Sequence, residues 1–273
     1  MIELSKHNVI LSPTKELPNI LNDLRIVIVS WNVEKLLGRC LVSLPKACEG
    51  LTWDVTVVDN ASTDKSVETA KLVGAELGLP FRIIANPDNR GFAKACNQGI
   101  AGHDARYVLL LNPDTECPAG SLKALVEAAD ARPKAGIVGP RLLDKEGNVH
   151  AGVRRFPTVW NQLGVLLKLH RLMPWLPMFR RYFAKDIRHD KTQDVDQIEG
   201  SCFLIRRELI DRLGGLDERY FLWFEEVDFC KAAIEAGWKV TYVPSVSITH
   251  LGGQSFGQRL SVERQRDFNA SMR

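Results

Sequence analysis

Short apolar runs alternate along the chain with stretches in which apolar residues recur at helical spacing. The runs are typical of β-strands and cover residues 25–30, 54–59, 81–85 and 107–111. Helical spacing follows the first run, resumes after the second, and covers residues 91–100 after the third. This regular alternation predicts an α/β fold in which helices flank a doubly wound, mostly parallel central sheet.

The fourth apolar run ends in a polar turn around which we expect the chain to be organised. Tyr107 to Leu111 is too short for a helix and is typical of a fully buried parallel strand. Pro113 cannot continue a sheet, so Asp114 should lie at the carboxyl end of this central strand. Ligands of open α/β sheets bind at that edge, where a carboxylate can hold a hard cation and, through it, a diphosphate. The alternative is that Asn112 to Asp114 is only a turn before the next helix.

Two other strand ends bring polar side chains to the same edge of the predicted sheet. The first strand is followed by Ser30, Trp31 and Asn32, and the second by the polar run 59–64. Neither the G-x-G-x-x-G of a dinucleotide-binding enzyme nor the G-x-x-x-x-G-K-[ST] of a P-loop enzyme follows the first strand. The crevice is therefore predicted to bind its ligand through separate polar residues and not through a glycine-rich phosphate loop.

Composition narrows the classes of function and of location. The 273-residue chain is 45% hydrophobic and 25% charged with a net charge of +3, which gives no global case for nucleic-acid binding. Its six cysteines are scattered and form no C-x-x-C, as in reduced core residues of a cytosolic protein. We find no apolar stretch as long as a membrane span and no signal peptide. A cytoplasmic protein is expected.

An ordered set of motifs resembles the family 2 glycosyltransferases of the GT-A fold. The motifs are Ile26 to Asn32, Val57 to Asp64, Asn89 to Asn97, Leu109 to Asp114, Gly200 to Arg207, Gly214 to Asp217, Phe221 to Asp228, and His250. Each motif is weak alone, but together they follow the family's order across roughly residues 25–255. The run Arg154-Arg-Phe-Pro157, with Asn-Pro-Asp in place of Asp-x-Asp, is similar to the bacterial rhamnosyltransferase branch.

The resemblance implies one GT-A domain over residues 25–255. Residues 25–115 would form its nucleotide-sugar-binding half and 116–255 its acceptor and catalytic half. Residues 1–24 would be an N-terminal leader, and 256–273 a C-terminal tail with a helix beginning near Ser261. Relatives usually continue past the last residue of this chain, which leaves a truncation open.

The resemblance also implies a set of donor-binding residues. Asp59 would accept a hydrogen bond from the ring N–H of a pyrimidine base. The alternative for Asp59 is an Asx-turn or helix cap, a role that Ser62 or Asn60 could also fill. The other substrate-binding residues that it implies are Ser30, Asn32, Asn60, Asn89, Gly91, Asn97, Asn112, Gly200, Trp223, Glu225 and Asp228. For the asparagines of the 89–97 segment, ordinary loop and cap chemistry is the alternative.

A divalent metal, Mg²⁺ or Mn²⁺, is the cofactor that the resemblance implies. Asp114 would hold it between the two phosphates of the donor. Because Asn112 stands where many relatives have aspartate, one charged ligand is lost and the metal should bind weakly without nucleotide. His250 occupies the position at which some relatives bring a histidine to the metal, although a histidine after a strand is also often only hydrogen-bonded.

The acidic segment from Phe221 to Asp228 is the predicted source of the catalytic base. In the family the base stands at the second acidic position, which Glu226 occupies here. Nearby aromatic side chains would raise the pKa of a carboxyl toward that of a general base and offer a face to a sugar ring. The alternative is that Glu225, Glu226 and Asp228 only complement the helix dipole.

Residues 150–192 combine basic and aromatic side chains. Nine lysines and arginines stand against two aspartates in this segment, interleaved with tryptophan, phenylalanine and tyrosine. Such a stretch is typical of a peripheral contact with the inner face of a membrane or with an anionic acceptor. The alternative is a solvated insertion whose aromatics cover the acceptor side of the core.

The reaction that the resemblance implies is inverting transfer of a hexose from a nucleoside diphosphate sugar, most simply dTDP-rhamnose. The acceptor would be a hydroxyl of a glycan or of a polyprenyl-diphosphate-linked saccharide, in bacterial surface polysaccharide synthesis. Two other classes stay open, a sugar-phosphate nucleotidylyltransferase and a non-catalytic glycan-binding scaffold. A nucleotidylyltransferase should carry a glycine-rich loop after strand one, and a scaffold should lack the acids Asp59, Asp114 and Glu226.

Overall fold

The computed structural model describes residues 22–102, 105–150, 152–185 and 187–252. The expected leader therefore lies almost wholly outside the described residues, as does the helix expected near Ser261. Strand one begins at Asn22, three residues before the apolar run that predicted it.

The described residues form strands and helices that alternate along the first half of the chain. The strands are β1 (Asn22–Ser30), β2 (Trp53–Asp59), β3 (Phe81–Ala85), β4 (Ala105–Leu111), β5 (Thr115–Glu116), β6 (Ala135–Leu143), β7 (Val149–His150), β8 (Val153–Arg154), β9 (Gln193–Asp194), β10 (Gln197–Ile198), β11 (Cys202–Arg206) and β12 (Lys239–His250). The helices are α1 (Glu34–Ala47), α2 (Ser66–Glu76), α3 (Phe92–Ile100), α4 (Ser121–Asp130), α5 (Val159–Leu166), α6 (Leu169–Leu172), α7 (Pro177–Tyr182), α8 (Arg207–Leu213) and α9 (Glu225–Glu235).

One mixed sheet runs through the domain in the order β3-β2-β1-β4-β11-β6-β12-β5. Its first four strands are parallel, as the alternating pattern predicts. β11 then enters antiparallel to both β4 and β6, and β12 returns parallel to β6. The fourth strand, β4, is central, so its carboxyl end lies at the middle of the sheet edge where ligands were expected.

The sheet is apolar on both faces because helices cover both. On β1, Ile26 and Ile28 are buried with the apolar stripe of α1, whereas Val27 points to the opposite cluster with α3. Full burial of an isoleucine side chain contributes about 1.5–3 kcal/mol to the stability of the fold. Because both faces of the sheet are covered, the strands are near-continuous apolar runs. Polar chemistry is left to the strand ends.

Two strands are longer than the apolar pattern suggests. β1 begins at Asn22, before the predicted run 25–30, and Nδ2 of Asn22 donates to Oδ2 of Asp54 on β2 at 2.9 Å. β12 continues from Lys239 to His250 across an irregularity between Val243 and Ser247. His250 is thus the last residue of a strand and not a loop residue after it.

Two predictions about the whole chain can be compared with these residues. All six cysteines are free thiols and buried, which agrees with the prediction of reduced core residues. Among the described helices, none combines the length and the apolar character that a membrane crossing requires.

Candidate active site

Hydrogen bonds between Asp59 and Ser62 shape the turn at the carboxyl end of β2. Ser30 and Asp59 are register partners at the ends of the two strands. Asp59 accepts from the backbone N–H of Ser62 at 2.9 Å and from its hydroxyl at 2.6 Å. Burial raises the pKa of Asp59, and these bonds oppose that rise. The turn geometry weighed as the alternative for Asp59 is therefore present, and its contact with a base stays a prediction.

Asn32 connects the loops that follow β1 and β2. Its backbone has a positive φ of 53°. Its N–H donates to the hydroxyl of Ser62 at 2.9 Å, and its side-chain oxygen accepts from the N–H of Thr63 at 2.7 Å. Asn32 therefore ties the loop after β1 to the loop after β2.

A small cavity of about 100 Å³ lies between the ends of β1 and β4 and the segment 89–92. It is lined by Asn60, Asn89, Gly91, Asn112 and Asp114, among others, so five of the predicted donor-site and metal residues converge here. Gly91 has a φ of +83°, and a Cβ on it would stand 2.7 Å from the carbonyl oxygen of Phe221. Only glycine permits this close approach of the two segments.

The asparagines of the 89–97 segment do different things. The side-chain oxygen of Asn89 accepts from the N–H of Gly91 at 3.0 Å beside the small cavity. Asn97 instead donates to the carbonyl of Leu216 at 2.8 Å and accepts from its N–H at 3.0 Å. Asn97 ties the following loop to α3 and lines neither of the two cavities in this cleft. This geometry gives the predicted donor contact of Asn97 no support.

Asp114 begins a chain of four polar side chains. Its Oδ1 lies 3.3 Å from Nε2 of His250, whose Nδ1 lies 3.3 Å from Oε1 of Glu199. The other oxygen of Glu199 lies 3.0 Å from Nε2 of His150. Burial alone would lower the pKa of His250, but the two carboxylates raise it to about 9. Burial likewise opposes ionisation of Glu199, whose pKa the two histidines hold well below its usual range.

These residues fit a divalent cation. The side chains of Asp114 and His250 are only 7% and 8% exposed, so their charges are neutralised by each other or by a bound ion. When two ligand atoms each lie about 2.1 Å from a shared ion and the ligand–ion–ligand angle is a right angle, the two atoms are about 3 Å apart. The separation of 3.3 Å between Oδ1 and Nε2 is close to that value.

A larger cavity of about 650 Å³ adjoins the small one and shares Phe92, Asn112 and Leu222 with it. Glu225, Glu226, Gly200 and Trp223 line it together with His250 and Glu199. The predicted base and the predicted metal-binding residues therefore open onto one continuous cleft.

Glu226 has the environment of a general base. Burial, and to a lesser extent the charge of Glu199, raise its pKa to about 7 against the opposing effects of backbone hydrogen bonds and of Arg154. Burial also raises the pKa of Glu225 well above its usual value, and the charge of Glu226 adds to this effect. One carboxylate oxygen of each is buried without a hydrogen-bond partner among the described residues. Burial therefore favours the neutral form of Glu225, and Glu226 can exchange a proton near neutral pH.

The backbone before these acids is unusual. Trp223 and Phe224 both have positive φ angles, 68° and 71°, which non-glycine residues adopt at a cost. Phe224 precedes α9, so this turn sets the point at which Glu225 and Glu226 enter the helix. Asp228 lies one turn further on, does not line the cavity, and is near Asp217 and Arg219. The predicted substrate contact of Asp228 therefore has no support from its position.

Comparison with known proteins identifies the family. Residues 25–214 match Glycosyl transferase family 2. The N-acetylglucosaminyl-diphospho-decaprenol L-rhamnosyltransferase of Mycobacterium tuberculosis (strain ATCC 25618 / H37Rv) is 32% identical over 248 residues, which cover 86% of this chain and 78% of that protein. The chain is a family 2 glycosyltransferase. Rhamnosyltransferase WbbL of Escherichia coli (strain K12) is 26% identical to this glycosyltransferase over 148 residues, covering 54% of this chain and 53% of that protein.

Solved structures confirm the GT-A fold of this glycosyltransferase. The mannosyltransferase PcManGT from Pyrobaculum calidifontis, in complex with GDP-Man and Mn²⁺, superposes with a TM-score of 0.59 at 17% identity, over 87% of this chain and 59% of that one. GalNAc-T7 with UDP, GalNAc and Mn²⁺ superposes with a TM-score of 0.60 at 16% identity, over 84% of this chain and 43% of that one. At these identities the likeness concerns the fold alone. The expected resemblance to the rhamnosyltransferase branch is confirmed by the sequence relatives.

Two residues of the glycosyltransferase's cleft were missed in the sequence. His150 and Glu199 form, with His250, a group whose ligand atoms lie within 4.8 Å of one another. His150 ends β7 and Glu199 follows β10, two short strands in a segment without periodicity. The signal that could have found Glu199 is its position immediately before the Gly200 motif.

Proposed function

We propose that this glycosyltransferase transfers a hexose with inversion, using a divalent metal and a nucleoside diphosphate donor. The observation that carries the proposal is that Glu226 and the Asp114–His250 pair open onto one cleft. The donor's diphosphate would lie near Asp114 and the acceptor hydroxyl near Glu226. The sugar then lies between them, which is the arrangement that a single displacement with inversion requires.

The chemistry is divided between the two sides of this cleft. Glu226, with a pKa raised to about 7, is placed to take the proton from the acceptor hydroxyl as that oxygen attacks the anomeric carbon. The bond from that carbon to the diphosphate breaks at the same time. A metal held by Asp114 and His250 would supply positive charge to the leaving diphosphate. The half-buried aromatic side chains of Phe92, Trp223 and Phe224, which line the large cavity, would limit the access of water that competes with the acceptor.

Rhamnose from dTDP-rhamnose is the donor that we propose, and a polyprenyl-diphosphate-linked saccharide the acceptor. The support is similarity along most of the chain to a relative named for L-rhamnosyl transfer to N-acetylglucosaminyl-diphospho-decaprenol. The large cavity suits a saccharide, because its lining combines carboxylates with the aromatic side chains of Phe92, Trp223 and Phe224.

We further propose that residues 159–178 place the enzyme on the inner face of the cell membrane. Among the described residues, thirteen large hydrophobic side chains are exposed, and eight of them lie in this short segment: Val159, Trp160, Leu163, Leu166, Leu167, Leu172, Trp175 and Met178. We call these eight side chains the exposed apolar surface. Lys168 and Arg171 lie within it, and Arg180 and Arg181 follow it, so the occupant it suits best is an anionic bilayer.

The proposed reaction is tested by incubating the purified enzyme with dTDP-rhamnose, Mn²⁺ and an N-acetylglucosaminyl-diphospho-lipid. We expect a rhamnosylated lipid whose anomeric configuration, read by NMR, is opposite to that of the donor. UDP- and GDP-sugars serve as alternative donors. Retention of configuration, or transfer that proceeds fully in EDTA, would contradict the mechanism. Nucleotide-sugar formation from a sugar phosphate would instead identify a nucleotidylyltransferase.

A further inference from the structure

His250 stands between two carboxylates, one at each ring nitrogen. Its Nε2 faces Oδ1 of Asp114 and its Nδ1 faces Oε1 of Glu199, each at 3.3 Å. A neutral imidazole carries a hydrogen on one ring nitrogen, and only the other nitrogen can bind a metal. Which nitrogen keeps the hydrogen decides where a cation can bind.

Glu199 is itself held in place. One of its oxygens lies 3.0 Å from Nε2 of His150. The other accepts from the hydroxyl of Ser201 at 2.8 Å and also faces His250. With both oxygens engaged, the carboxylate cannot turn away from the imidazole. It presents a fixed acceptor to Nδ1.

We propose that Glu199 is a positioning residue that keeps the hydrogen of His250 on Nδ1 and so directs Nε2 to the cation held by Asp114. This inference rests on the metal role in the proposed function. Carboxylates that accept from the free N–H of a ligating histidine fix its tautomer and its ring orientation, and their loss typically lowers metal affinity 10- to 100-fold. His150 and Ser201 support Glu199 from behind.

A competing arrangement is possible at the same ring. His150, Glu199 and Nδ1 of His250 could hold the ion, and Nε2–H would then donate to Asp114. Two observations favour the Asp114 position. The side chains of Asp114 and His250 are almost fully buried, whereas that of His150 is 45% exposed. Asp114 also lines the small cavity where the donor's diphosphate is expected, and neither His150 nor Glu199 does.

The test is the Mn²⁺ affinity of metal-free enzyme, measured by calorimetry with Mn²⁺ alone and again with dTDP present. We expect Glu199→Ala to weaken Mn²⁺ binding about 10- to 100-fold and Glu199→Gln, which keeps an acceptor oxygen, to weaken it less. His150→Gln should cause a smaller loss than Glu199→Ala. The matched control is Glu235→Ala, which removes an exposed glutamate at the end of α9. Circular dichroism establishes that each variant is folded.

The tautomer can be read directly. With Zn²⁺ in place of Mn²⁺, long-range ¹H–¹⁵N NMR of His250 should show a protonated Nδ1 and a metal-bound Nε2 in the wild type. That preference should weaken in Glu199→Ala. Unchanged Mn²⁺ affinity in Glu199→Ala would overturn the inference. A metal bound to Nδ1 would also overturn it. So would a Mn²⁺ affinity that falls in His150→Gln and is unchanged in Asp114→Asn, because either result places the ion beside His150.

Mn²⁺ binding and rhamnose transfer by the wild-type enzyme distinguish failure of this inference from failure of the proposed function. If the wild type binds Mn²⁺ but transfers no rhamnose, the donor assignment fails, and the ranking of the Glu199 variants still tests the positioning role. If the wild type binds no Mn²⁺ even with dTDP, the metal role and this inference are both wrong.

Discussion

Oδ1 of Asp114 and Nε2 of His250 lie 3.3 Å apart although the two residues belong to opposite halves of the domain. The backbone sets this distance. β12 pairs with β5 so that His250 is opposite Thr115, and the N–H of Leu251 donates to the carbonyl of Asp114 at 2.9 Å. The short strand that follows Pro113 therefore attaches the end of β12 to the end of β4. A two-residue strand thus brings the candidate metal ligands together.

Removing the carboxylate of Asp114 should abolish metal-dependent nucleotide binding. Asp114 is the acidic residue beside the small cavity, so Asp114→Ala leaves His250 alone to hold the ion. We expect calorimetry to show dTDP binding that Mn²⁺ no longer strengthens, while the thermal unfolding transition stays cooperative. Asp88→Ala is the control, since that aspartate is 72% exposed. An unchanged dTDP affinity with Mn²⁺ would refute the assignment of Asp114.

The residues that could be predicted from the sequence are those that follow directly from strand ends. Asp59 and Asp114 stand at the carboxyl ends of β2 and β4 because an apolar run stops at a polar turn, and that signal is local. Glu226 was found by position within a motif and by its aromatic neighbours. In each case a few adjacent residues carry the whole pattern.

The residues that could not be predicted depend on pairing between distant segments. His150 enters the cleft because β7 pairs with β6, and Glu199 because its N–H donates to the carbonyl of Gly152. No periodic pattern in the sequence signals either contact. The antiparallel direction of β11 escaped prediction for the same reason, because an apolar run is equally compatible with either direction.

The metal-free enzyme should lose stability as the pH rises past neutrality. The two carboxylates raise the pKa of His250 from its ordinary value of 6.5 to about 9 in the folded state. A raised pKa gives stabilisation that is complete below pH 6.5 and is lost as the pH rises through about 9. Chemical denaturation in EDTA at several pH values should show this decline. The same series on His250→Gln should be flatter, and an equally steep decline there would exclude His250 as its source.

Membrane binding should depend on the exposed apolar surface. Replacing Trp160 and Trp175 by serine removes two large side chains that are 74% and 65% exposed, and we expect sedimentation with anionic vesicles to fall. Binding should also weaken with salt, since each basic residue near the surface contributes about 1 kcal/mol. Leu72→Ser is the control, because that leucine is 69% exposed on α2, outside this surface. Wild-type enzyme that stays unbound at low salt would refute the membrane contact.

Gly91 should tolerate no side chain. Gly91→Ala places a Cβ 2.7 Å from the carbonyl oxygen of Phe221 at a φ of +83°. Gly102→Ala is a matched control, because Gly102 has a φ of +80° with nothing within 4 Å of its Cβ. The control should cost about 1–2 kcal/mol from backbone strain alone. Gly91→Ala should cost more in denaturant unfolding and should also weaken dTDP binding. Equal losses in the two variants would mean that the contact with Phe221 is not restrictive.

The charge of Glu226 should control the rate of transfer. Glu226→Gln keeps the shape of the side chain and removes its basicity, so we expect transfer to fall about 10²- to 10⁴-fold while dTDP binding survives. Glu226→Asp should be milder, because it keeps a carboxylate and shortens the side chain by one methylene. In the wild type, the pH profile of transfer should rise through about pH 7, because burial raises the pKa of Glu226 to about 7 and only the ionised form accepts a proton.

Glu225→Gln is the matched control for this experiment. Burial and the neighbouring Glu226 raise the pKa of Glu225 well above its usual value, which favours the neutral form of the native side chain. An amide of the same size should therefore change neither the rate nor its pH profile appreciably. If Glu225→Gln proves inactive and Glu226→Gln active, the base is Glu225. The turn at Trp223 and Phe224 would then present the first acid of α9, and not the second, to the acceptor.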